Sequence, residues 1–408
     1  MGSGSEGEVG VQSQGSCGGM KMRILVAGGK LQGVEAAYLA KKAGMDVVLV
    51  DKAATSPAAG LCSSFRQLDL LRDRMALLEL CQDVDLIISA VENQEVLMAL
   101  AEASLQVGVP MAWDESAYEI SASKKKSDAL FARHGVPAPL YWPDCGLPLI
   151  AKLDGSSGSR GVRQIATERE LKSFLQEIGL SGEDYIMQEF IGGKSYSLEV
   201  IGFEGIYIPL QVTALEMDED FDCKRVVAPA DLPPSLVNQF RETAIKIAGL
   251  VNLTGIMDVE VIEQRGVLKV LEIDARLPSQ TPTAVYHSTG VNMLELLANL
   301  YTRGESLTPE LTPCKAVIYE HILVTPGKIE FLGEHIMAGA GPLALVSDFF
   351  GANEALTNFT PGRKSWVATL IITAASRNEV WEKRCAVLSR IKKETHQPAL
   401  YQGGGEAE

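Results

Sequence analysis

The sequence predicts a protein of the α/β and α+β classes. It has an open parallel-sheet domain at the N-terminus, then a small mobile lid, then a large C-terminal domain with a mixed sheet. Three observations predict this. Strand-like apolar runs alternate with helix-patterned stretches up to about residue 120, a Pro-rich segment and a Gly/Ser loop follow, and β-branched runs fill much of the remainder. A chain of 408 residues corresponds to two or three domains of about 100–200 residues each.

The first predicted domain covers residues 21–134. The run MRILVAGG has the pattern of a buried strand, LQGVEAAYLAKKAG that of a helix, and MDVVLVD that of a second strand. Strand-like runs at 84–91 and 109–113 flank a helical stretch at 94–106, and a helix over 121–134 closes the domain. Parallel strands joined by helices make an open sheet, and such sheets bind ligands at their carboxyl edge.

The predicted lid covers residues 135–192 and the large domain residues 193–402. The proline-rich HGVPAPLYWPDCGLP reads as a linker, followed by a strand, a Gly/Ser loop, a strand, the helix ERELKSFLQEIG and the strand DYIMQEFI. This piece is too small for a large core of its own, hence the prediction of a lid. The large domain contains the strands YSLEVIGF, GIYIPLQV, IMDVEVI and VLKVLEID. Residues 1–20 and 403–408 are predicted to be flexible tails.

Composition excludes several classes of function. With 37 Lys and Arg against 52 Asp and Glu, the net charge of −15 disfavours binding to nucleic acid or an anionic membrane. Seven dispersed cysteines indicate reduced thiols and a cytoplasmic protein, and five histidines without metal-ligand spacing argue against zinc. No apolar run approaches the roughly 20 residues of a membrane span. We therefore expect small-molecule partners, and cationic ones suit the charge.

The segment GIMDVEVIEQRGVLKVLEIDAR (255–276) has the pattern of a β-hairpin with its turn near Arg265. Period-2 alternation places four acids on one face: Asp258, Glu260, Glu272 and Asp274. The opposite face is predicted to carry Val259, Val261, Leu271 and Ile273. The acid face is predicted to share Ile256, Ile262, Leu268 and Val270. A solvated polar face is the simplest alternative, but a half-apolar face with converging acids better fits the wall of a Mg²⁺-binding cleft.

Two glycine-rich loops are candidate ligand contacts. Lys152 precedes the loop at residues 155–161, whose backbone N–H groups could hold a phosphate, although the loop lacks the Walker A pattern and could be a plain hairpin. The loop at 28–33 has Lys30 where a dinucleotide fingerprint needs glycine, with Asp51 at the position of a ribose-binding acid. With the acid hairpin downstream, the first loop is better interpreted as a phosphate lid.

Together these residues resemble the ATP-grasp carboxylate–amine ligases. The resemblance is carried by Lys124, by Lys152 before its loop, by QEF at 188–190, and by Glu260, Glu272 and Asp274 ahead of Arg276. The strings GGKLQGVEAAYLAKKAGMDVVLVDK, SLEVIG, GIMDVE, EIDAR and PSQTPT are similar to a ligase family of pyrrolysine biosynthesis that joins 3-methyl-D-ornithine to L-lysine. Two positions depart from the wider pattern: Ser123 stands where Asp is frequent, and Asp274 where Asn is usual.

The resemblance implies an ATP-dependent, amide-forming ligase with ATP and Mg²⁺ as cofactors. The α-carboxylate of 3-methyl-D-ornithine, or of D-ornithine as a surrogate, would be phosphorylated and then attacked by the ε-amine of L-lysine. The implied metal ligands are Glu260, Glu272 and Asp274, and the implied catalytic residues are Arg276 and Lys152. The implied nucleotide contacts are Lys124, Lys152, Ser156, Ser157, Glu189, Phe190 and Ile191, with a further contact at Lys30, Asp51, Asp69 and Leu70.

The resemblance also implies two amino-acid sites. The ornithine site would comprise Ser197, Leu198, Glu199, Asp258, Asp274, Ser279, Gln280, Thr281, Pro282 and Thr283. The lysine site would comprise Leu31, Gln32, Glu92, Thr281 and Glu320. Each acid has a simpler alternative, because Glu199 and Glu320 follow β-rich runs and could face solvent, and Glu92 could cap a helix.

Other functions remain open from the sequence. Another ATP-grasp ligase could join different amino acids, in a chain that could also form a homo-oligomer. An NAD-dependent dehydrogenase would rest on the weak loop at 28–33 and Asp51, and it leaves the acid hairpin unexplained. A non-catalytic binding protein on the same scaffold would be expected to have lost one of Glu260, Glu272 or Asp274, yet all three are present. The ligase is therefore the favoured hypothesis.

Overall fold

The computed structural model describes residues 21–156, 158, 161–179, 184–304, 309 and 314–396. The predicted tails and Ser157 lie outside these residues. Three sheets of five, three and eleven strands organise the described chain, which confirms the predicted mixture of parallel and antiparallel parts. The predicted domain boundaries stay a prediction. Within the described residues, no helix is both long enough and apolar enough to cross a bilayer.

The first sheet is parallel throughout, with strand order β3-β2-β1-β4-β5. Its strands are β1 (Arg23–Ala27), β2 (Asp46–Asp51), β3 (Ser64–Gln67), β4 (Leu86–Ser89) and β5 (Met111–Ala112). The helices α1 (Leu31–Lys42), α2 (Arg74–Gln82) and α3 (Gln94–Val107) connect them. The central strands are apolar because helices cover both faces of a parallel sheet. The short, half-exposed β3 carries no such run, and the sequence analysis missed it.

Close backbone packing explains the glycine loop between β1 and α1. A Cβ atom on Gly33 would lie 2.1 Å from the Gly28 carbonyl oxygen. A Cβ atom on Gly28, whose φ is +104°, would lie 2.4 Å from the Ala90 carbonyl oxygen. Both positions therefore need glycine for the start of α1 to approach the sheet, whatever the loop binds.

The helix predicted over residues 121–134 is α5 (Lys124–His134), which begins three residues later than predicted. A separate helix that was not predicted, α4 (Glu115–Ser121), precedes it. The Ser123 side chain accepts a hydrogen bond from the Lys126 backbone N–H and so caps a new helix. Asp114 caps α4 in the same way, through the Ala117 N–H. Serine and aspartate are strong N-caps, and the Ser123 cap sets the start of α5.

The second sheet is small and antiparallel, in the order β7-β6-β8. It comprises β6 (Leu149–Leu153), β7 (Arg163–Ile165) and β8 (Tyr185–Glu189), covered by the helix α6 (Glu168–Ile178). Thr167 and Glu170 form a reciprocal capping box at the start of α6. The core beneath it is limited to a few side chains, among them Leu171 and Phe174, as expected for a lid.

The third sheet runs β14-β13-β9-β11-β12-β15-β19-β18-β17, with β10 beside β9 and β16 beside β15. Its strands are β9 (Lys194–Phe203), β10 (Ile206–Pro209), β11 (Thr213–Met217), β12 (Cys223–Ala228), β13 (Gly255–Gln264), β14 (Val267–Asp274), β15 (Ala316–Thr325), β16 (Lys328–Phe331), β17 (Ala344–Ser347), β18 (Glu354–Thr357) and β19 (Trp366–Ala374). The helices are α7 (Pro234–Leu250), α8 (Thr281–Thr289), α9 (Met293–Arg303), α10 (His335–Ala338) and α11 (Arg377–His396). Its described pairings are antiparallel, so the prediction of a mixed sheet is wrong in this detail.

The predicted acid hairpin is β13 and β14, and it contains a β-bulge. Gln264 pairs with Val267 around the turn residues Arg265 and Gly266. Continued without interruption, that register would place Glu260 opposite residue 271. The register shifts between Glu260 and Val261, so that Glu260 pairs with Glu272 and Asp258 with Asp274. Because a shift of one residue turns a strand over, the bulge is what brings all four acids to one face.

The same bulge makes part of the predicted face assignment wrong. Leu268 and Val270 were expected beside the acids, but they lie in the opposite core with Val259, Val261 and Ile273. Leu271, expected in that core, is half-buried at the bulge. Simple alternation therefore holds on each side of the bulge but not across it.

Helix α1 is held against the large sheet by polar contacts to α8 and α9. The Tyr38 hydroxyl lies 2.6 Å from His287 Nε2, and the Asn292 side chain donates to the Leu39 carbonyl at 2.8 Å. Glu35 Oε1 accepts a hydrogen bond from the Thr283 N–H at 2.6 Å. The carboxyl edge of the first sheet is thereby fixed next to the acid hairpin.

Candidate active site

The four acids of the hairpin line one pocket. Strand β9 extends their face, because Glu199 pairs with Asp258 and Ser197 pairs with Glu260. The pocket wall includes Asp258, Glu260, Glu272, Asp274 and Arg276. The prediction that these acids converge is therefore confirmed by the geometry.

Removal from water raises the pKa of Asp258, Glu260 and Asp274. Desolvation raises the pKa of Asp258 to about 6 and that of Asp274 to about 7. Desolvation, with added repulsion from Asp258 and Glu272, raises the pKa of Glu260 well above its ordinary value. A cation that prefers oxygen ligands stabilises a half-buried group of like charges, and the donor set of Glu260, Glu272 and Asp274 fits Mg²⁺ in this respect.

Arg276 connects the acids to the edge of the first sheet. Its Nη2 lies 3.2 Å from Asp274 Oδ2 and 2.8 Å from Glu92 Oε1. The same Glu92 oxygen accepts a hydrogen bond from Gln32 Nε2 at 2.9 Å. The structure thus brings together two residues of the predicted lysine site, with Leu31 beside Gln32 at the start of α1.

Two lysines approach the acids from the lid side. Lys124 Nζ lies 3.1 Å from Glu272 Oε1 and donates to the Ser156 carbonyl at 2.6 Å. Lys152 is 9% exposed, and its Nζ lies 3.5 Å from the Leu271 carbonyl oxygen. Desolvation lowers the pKa of Lys152, while the nearby Glu272 opposes that shift. Two ammonium groups facing a carboxylate cluster form a setting for an anion that itself binds a divalent cation, such as a polyphosphate.

The predicted adenine-contacting residues lie where the lid meets the large sheet. Glu189 ends β8, where its backbone N–H donates to the Leu140 carbonyl and its carboxylate accepts from the Leu140 N–H, each at 2.9 Å. Lys269 of β14 forms an ion pair with the same carboxylate. Phe190 donates to the Pro148 carbonyl at 2.9 Å, and Ile191 is buried. These contacts make a hinge between the lid strand β8 and the hairpin strand β14.

Strand β9 supplies the polar part of the predicted ornithine site. The Ser197 hydroxyl lies 2.5 Å from Asp258 Oδ1 and 3.5 Å from Glu199 Oε1. Glu199 is fully buried, and its Oε2 has no hydrogen-bond partner among the described residues. Desolvation and the adjacent Asp258 raise the pKa of Glu199 to about 8. Leu198 lies between these polar residues, and its side chain joins the opposite core.

The segment at residues 279–283 forms the remaining wall of the predicted ornithine site. Ser279, Gln280 and Thr281 line the pocket. Gln280 has a φ of +71° and directly precedes α8, so the chain turns sharply into the helix. Pro282 and Thr283 lie in the first turn of α8 and are buried.

Glu320 is not brought together with the other predicted lysine contacts. It pairs across the sheet with Arg225. The neighbouring pair, Val226 and Tyr319, points to the sheet face that carries the hairpin acids, so Glu320 points to the opposite face. The fully buried Glu320 carboxylate forms ion pairs with Arg225 and Arg384. Alternation along β15 thus turns Glu320 to the other face of the sheet.

The four residues of the predicted further nucleotide contact lie at the edge of the first sheet, and none is among the residues that line the pocket. Asp51 accepts hydrogen bonds from the Gly29 and Ala53 N–H groups, each at 2.7 Å, and so shapes its own loop. Lys30 is exposed at the start of α1. Asp69 accepts from the Leu71 N–H at 3.2 Å, and Leu70 is buried.

Sequence reasoning missed two acids of the pocket, Asp222 and Glu334. Asp222 precedes β12, and Glu334 follows β16. Neither belongs to a recognisable motif, and both reach the pocket only because the large sheet places its strands side by side. Leu215, Met217 and Val226 give the pocket an apolar part that was also not predicted.

Comparison with known proteins agrees with this arrangement of parts. Residues 24–112 match the family described as PylC-like, N-terminal domain, and residues 121–280 match the ATP-grasp domain. The 3-methyl-D-ornithine–L-lysine ligase of Methanosarcina barkeri is 36% identical over 372 residues, which are 91% of this chain and 98% of that protein. The ligase of the same name from Methanosarcina mazei is 35% identical over 379 residues, 92% and 97% of the two chains.

Solved structures with the same fold are more distant in sequence. The biotin carboxylase domain of Hydrogenobacter thermophilus 2-oxoglutarate carboxylase, in complex with MgADP, gives a TM-score of 0.70 at 16% identity and covers 91% of this chain and 90% of that one. An L-amino acid ligase from Bacillus licheniformis gives 0.66 at 16% identity, covering 93% and 99%. These likenesses confirm the predicted ATP-grasp fold.

Proposed function

The chain belongs to the family of the 3-methyl-D-ornithine–L-lysine ligases, and on that premise we propose that it joins 3-methyl-D-ornithine to L-lysine with the energy of ATP. The resemblance predicted from the sequence is confirmed. The observation that carries the proposal is the 35–36% identity that spans nearly the whole length of two such ligases. The product is the amide 3-methyl-D-ornithyl-N6-L-lysine, a step of pyrrolysine biosynthesis.

The chemistry follows from the poor reactivity of a carboxylate towards an amine. An oxygen of the ornithine α-carboxylate attacks the γ-phosphorus of ATP, which forms an acyl phosphate and releases ADP. The lysine ε-nitrogen, as the free amine, then attacks the acyl carbon, and inorganic phosphate leaves with the electron pair of the broken acyl C–O bond. The nitrogen loses its proton, and the amide remains. Such transfers are catalysed mainly by positioning and by charge placed where the phosphoryl group develops negative charge.

The residues have separate roles in this proposal. Lys124 and Lys152, with the lid loop, hold the phosphates, and the hinge at Glu189, Phe190 and Ile191 holds the adenine. Mg²⁺, held by Glu260, Glu272 and Asp274, would neutralise phosphate charge when bound. Clustering of the side chains and their donor chemistry support the roles of the lysines and the acids, and the match to the ATP-grasp domain supports that of the hinge.

The two amino acids approach from opposite sides of Arg276. We assign Ser197, Glu199 and Asp258 to the ornithine, because their acids can receive its α-ammonium beside the metal ligands. We assign Gln32 and Glu92 to the lysine, at the other end of the Arg276 contacts. Glu320 is left out of this assignment because two guanidinium groups already hold it.

The experiment is a coupled product assay. Purified protein with ATP, Mg²⁺, L-lysine and either 3-methyl-D-ornithine or D-ornithine should release one ADP for each amide found by mass spectrometry. Absence of ADP with every amine acceptor tested would contradict the proposal. ADP formation only with monoamino acids would favour a different ATP-grasp ligase.

A variant tests the role of the acid hairpin. Glu272→Gln should abolish turnover, since it removes one metal-ligand charge and the ion-pair partner of Lys124. The matched control is Glu242→Gln on the exposed face of α7, which should keep wild-type turnover. Retained turnover in Glu272→Gln would overturn the metal assignment while leaving the family assignment in place.

A further inference from the structure

A half-buried acid outside the hairpin adds to the pocket wall. Glu334 follows β16 and immediately precedes α10, and its side chain lines the same pocket as Asp258, Glu260 and Asp274. Ser279 and Gln280 line the same pocket and lie close enough to its carboxylate to favour the charged form. Its Oε2 is inaccessible and has no hydrogen-bond partner among the described residues.

Such an oxygen needs a partner that the described chain does not supply. A buried polar atom left without a hydrogen bond destabilises the folded protein, and a charged one does so more strongly. Desolvation raises the pKa of Glu334, and the neighbouring carboxylate of Asp222 adds to the shift. A cationic group of a ligand would satisfy the free oxygen and reverse this cost.

A second acid, beside the pocket residue Asp258 on the neighbouring strand, also has an oxygen without a partner among the described residues. Glu199 is fully buried, and its Oε2 likewise has no hydrogen-bond partner among the described residues. The two acids come from different elements, β9 and the segment after β16. Two separate carboxylates with free oxygens match a ligand with two ammonium groups, whereas a monoamino acid would satisfy only one of them.

The positions of the two acids determine which ammonium group of the ligand each acid binds. An α-ammonium shares its carbon with the reacting carboxylate, so it must lie close to the metal ligands. Glu199 meets this condition, because it pairs with Asp258, which itself pairs with Asp274. Glu334 lies on a separate element of the wall, and Leu215, Met217 and Val226 supply apolar surface for an aliphatic chain in the same pocket.

We propose that Glu334 accepts the side-chain ammonium of the amino acid whose carboxylate is activated, and that it thereby selects diamino acids over amino acids with uncharged side chains. This inference rests on the proposed function and adds a specificity-determining residue to it. Glu334 has no role in ATP binding in this proposal.

The test compares D-ornithine with D-norleucine, in which a methyl group replaces the δ-ammonium at nearly the same size. With ATP and L-lysine saturating, we expect the wild-type protein to prefer D-ornithine by about 100-fold in kcat/KM. Glu334→Gln keeps an oxygen for Ser279 and Gln280 but removes the charge. It should lose most of that preference, through a higher KM for D-ornithine, with the KM for ATP unchanged.

Two further variants make the result specific. Glu334→Asp retains the charge and should keep more of the preference than Glu334→Gln. Glu330→Gln on β16 removes a surface acid that is paired with Lys328, and it should behave as wild type. Calorimetric titration of D-ornithine into each variant provides a binding readout that does not need turnover.

The outcomes separate the two proposals. A Glu334→Gln protein that still prefers D-ornithine about 100-fold, or that loses activity on both substrates equally, overturns the assignment of Glu334. A wild-type protein that makes no ADP with D-ornithine and lysine overturns the proposed function, and the present inference falls with it. A wild-type protein that accepts D-norleucine as readily as D-ornithine overturns the role of Glu334 alone.

Discussion

Replacing Glu35 with glutamine should change how the stability of this protein depends on pH. Glu35 lies on α1, is 1% exposed, and accepts the Thr283 N–H at the start of α8. Desolvation raises its pKa from 4.5 to about 7, although hydrogen bonds from Thr283 and Gln280 oppose the shift. Because the pKa is higher in the folded protein than in the unfolded chain, the folded state binds this proton more tightly between those two values. Stability from this group is therefore full at low pH and falls as the pH rises towards 7.

The size of the effect follows from the shift. A rise from 4.5 to about 7 corresponds to about 3 kcal/mol, at about 1.4 kcal/mol per pKa unit. Of this, about 2.5 kcal/mol falls between pH 5 and pH 8 by the same linkage relation. Glutamine cannot ionise but still offers an oxygen to the Thr283 N–H. The free energy of unfolding of Glu35→Gln should lack this decrease.

The assay is urea unfolding of the nucleotide-free protein at several pH values from 5 to 8. The quantity of interest is the free energy of unfolding of Glu35→Gln minus that of wild type, which should rise by about 2.5 kcal/mol across this range. Glu79→Gln, at an exposed position of α2, is the matched control and should follow wild type at every pH. A difference between Glu35→Gln and wild type that stays constant with pH would refute the reasoning.

Three further substitutions test other parts of the structure. Lys152→Met should weaken ATP binding at least about 10-fold by titration calorimetry, because it removes a buried charge that faces the acids, and unchanged affinity would contradict its phosphate role. Thr167→Ala removes the capping box of α6 and should lower the local stability of that helix by about 1 kcal/mol in hydrogen exchange; unchanged protection would contradict the cap. Phe240→Ala, at a fully buried position of α7, should cost about 3–5 kcal/mol in urea unfolding, and a loss below about 1 kcal/mol would contradict its place in the core.

Strands that are buried on both faces are the elements that the sequence predicts most directly. Strands β1 and β4 are buried on both faces, so a continuous apolar run identifies them. The short strand β3 has one end exposed and therefore no such run. The start of α5 depends on a single capping serine, Ser123, and was predicted three residues too early. Local patterns thus predict elements well and their boundaries poorly.

The residues of the candidate site also differ in how far the sequence predicts their positions. The convergence of the four hairpin acids was predicted by alternation, yet it depends on a bulge beside Glu260 that alternation does not reveal. Glu320 was placed in the lysine site from resemblance, but which face it occupies depends on the register between β12 and β15. Glu334 has no local signal, because its pocket neighbours come from strands more than 50 residues away in the chain. Contacts set by strand register are therefore the ones that a single sequence leaves undetermined.

A ligase for two cationic amino acids must hold many acids together without binding either substrate irreversibly, and the arrangement around Arg276 accounts for this. The guanidinium group lies between Glu92 and Asp274 and compensates part of the charge on both sides. An ammonium group that binds to one of these carboxylates would displace Arg276 from it. The loss of that ion pair offsets much of the free energy gained from the new one. Arg276 does not contact the buried Glu199 or the half-buried Glu334. Each has an oxygen without a hydrogen-bond partner in the described part of the chain, and these oxygens can discriminate between ligands. We therefore expect the acids paired with Arg276 to limit the affinity for the substrates, and Glu199 and Glu334 to determine the specificity for them.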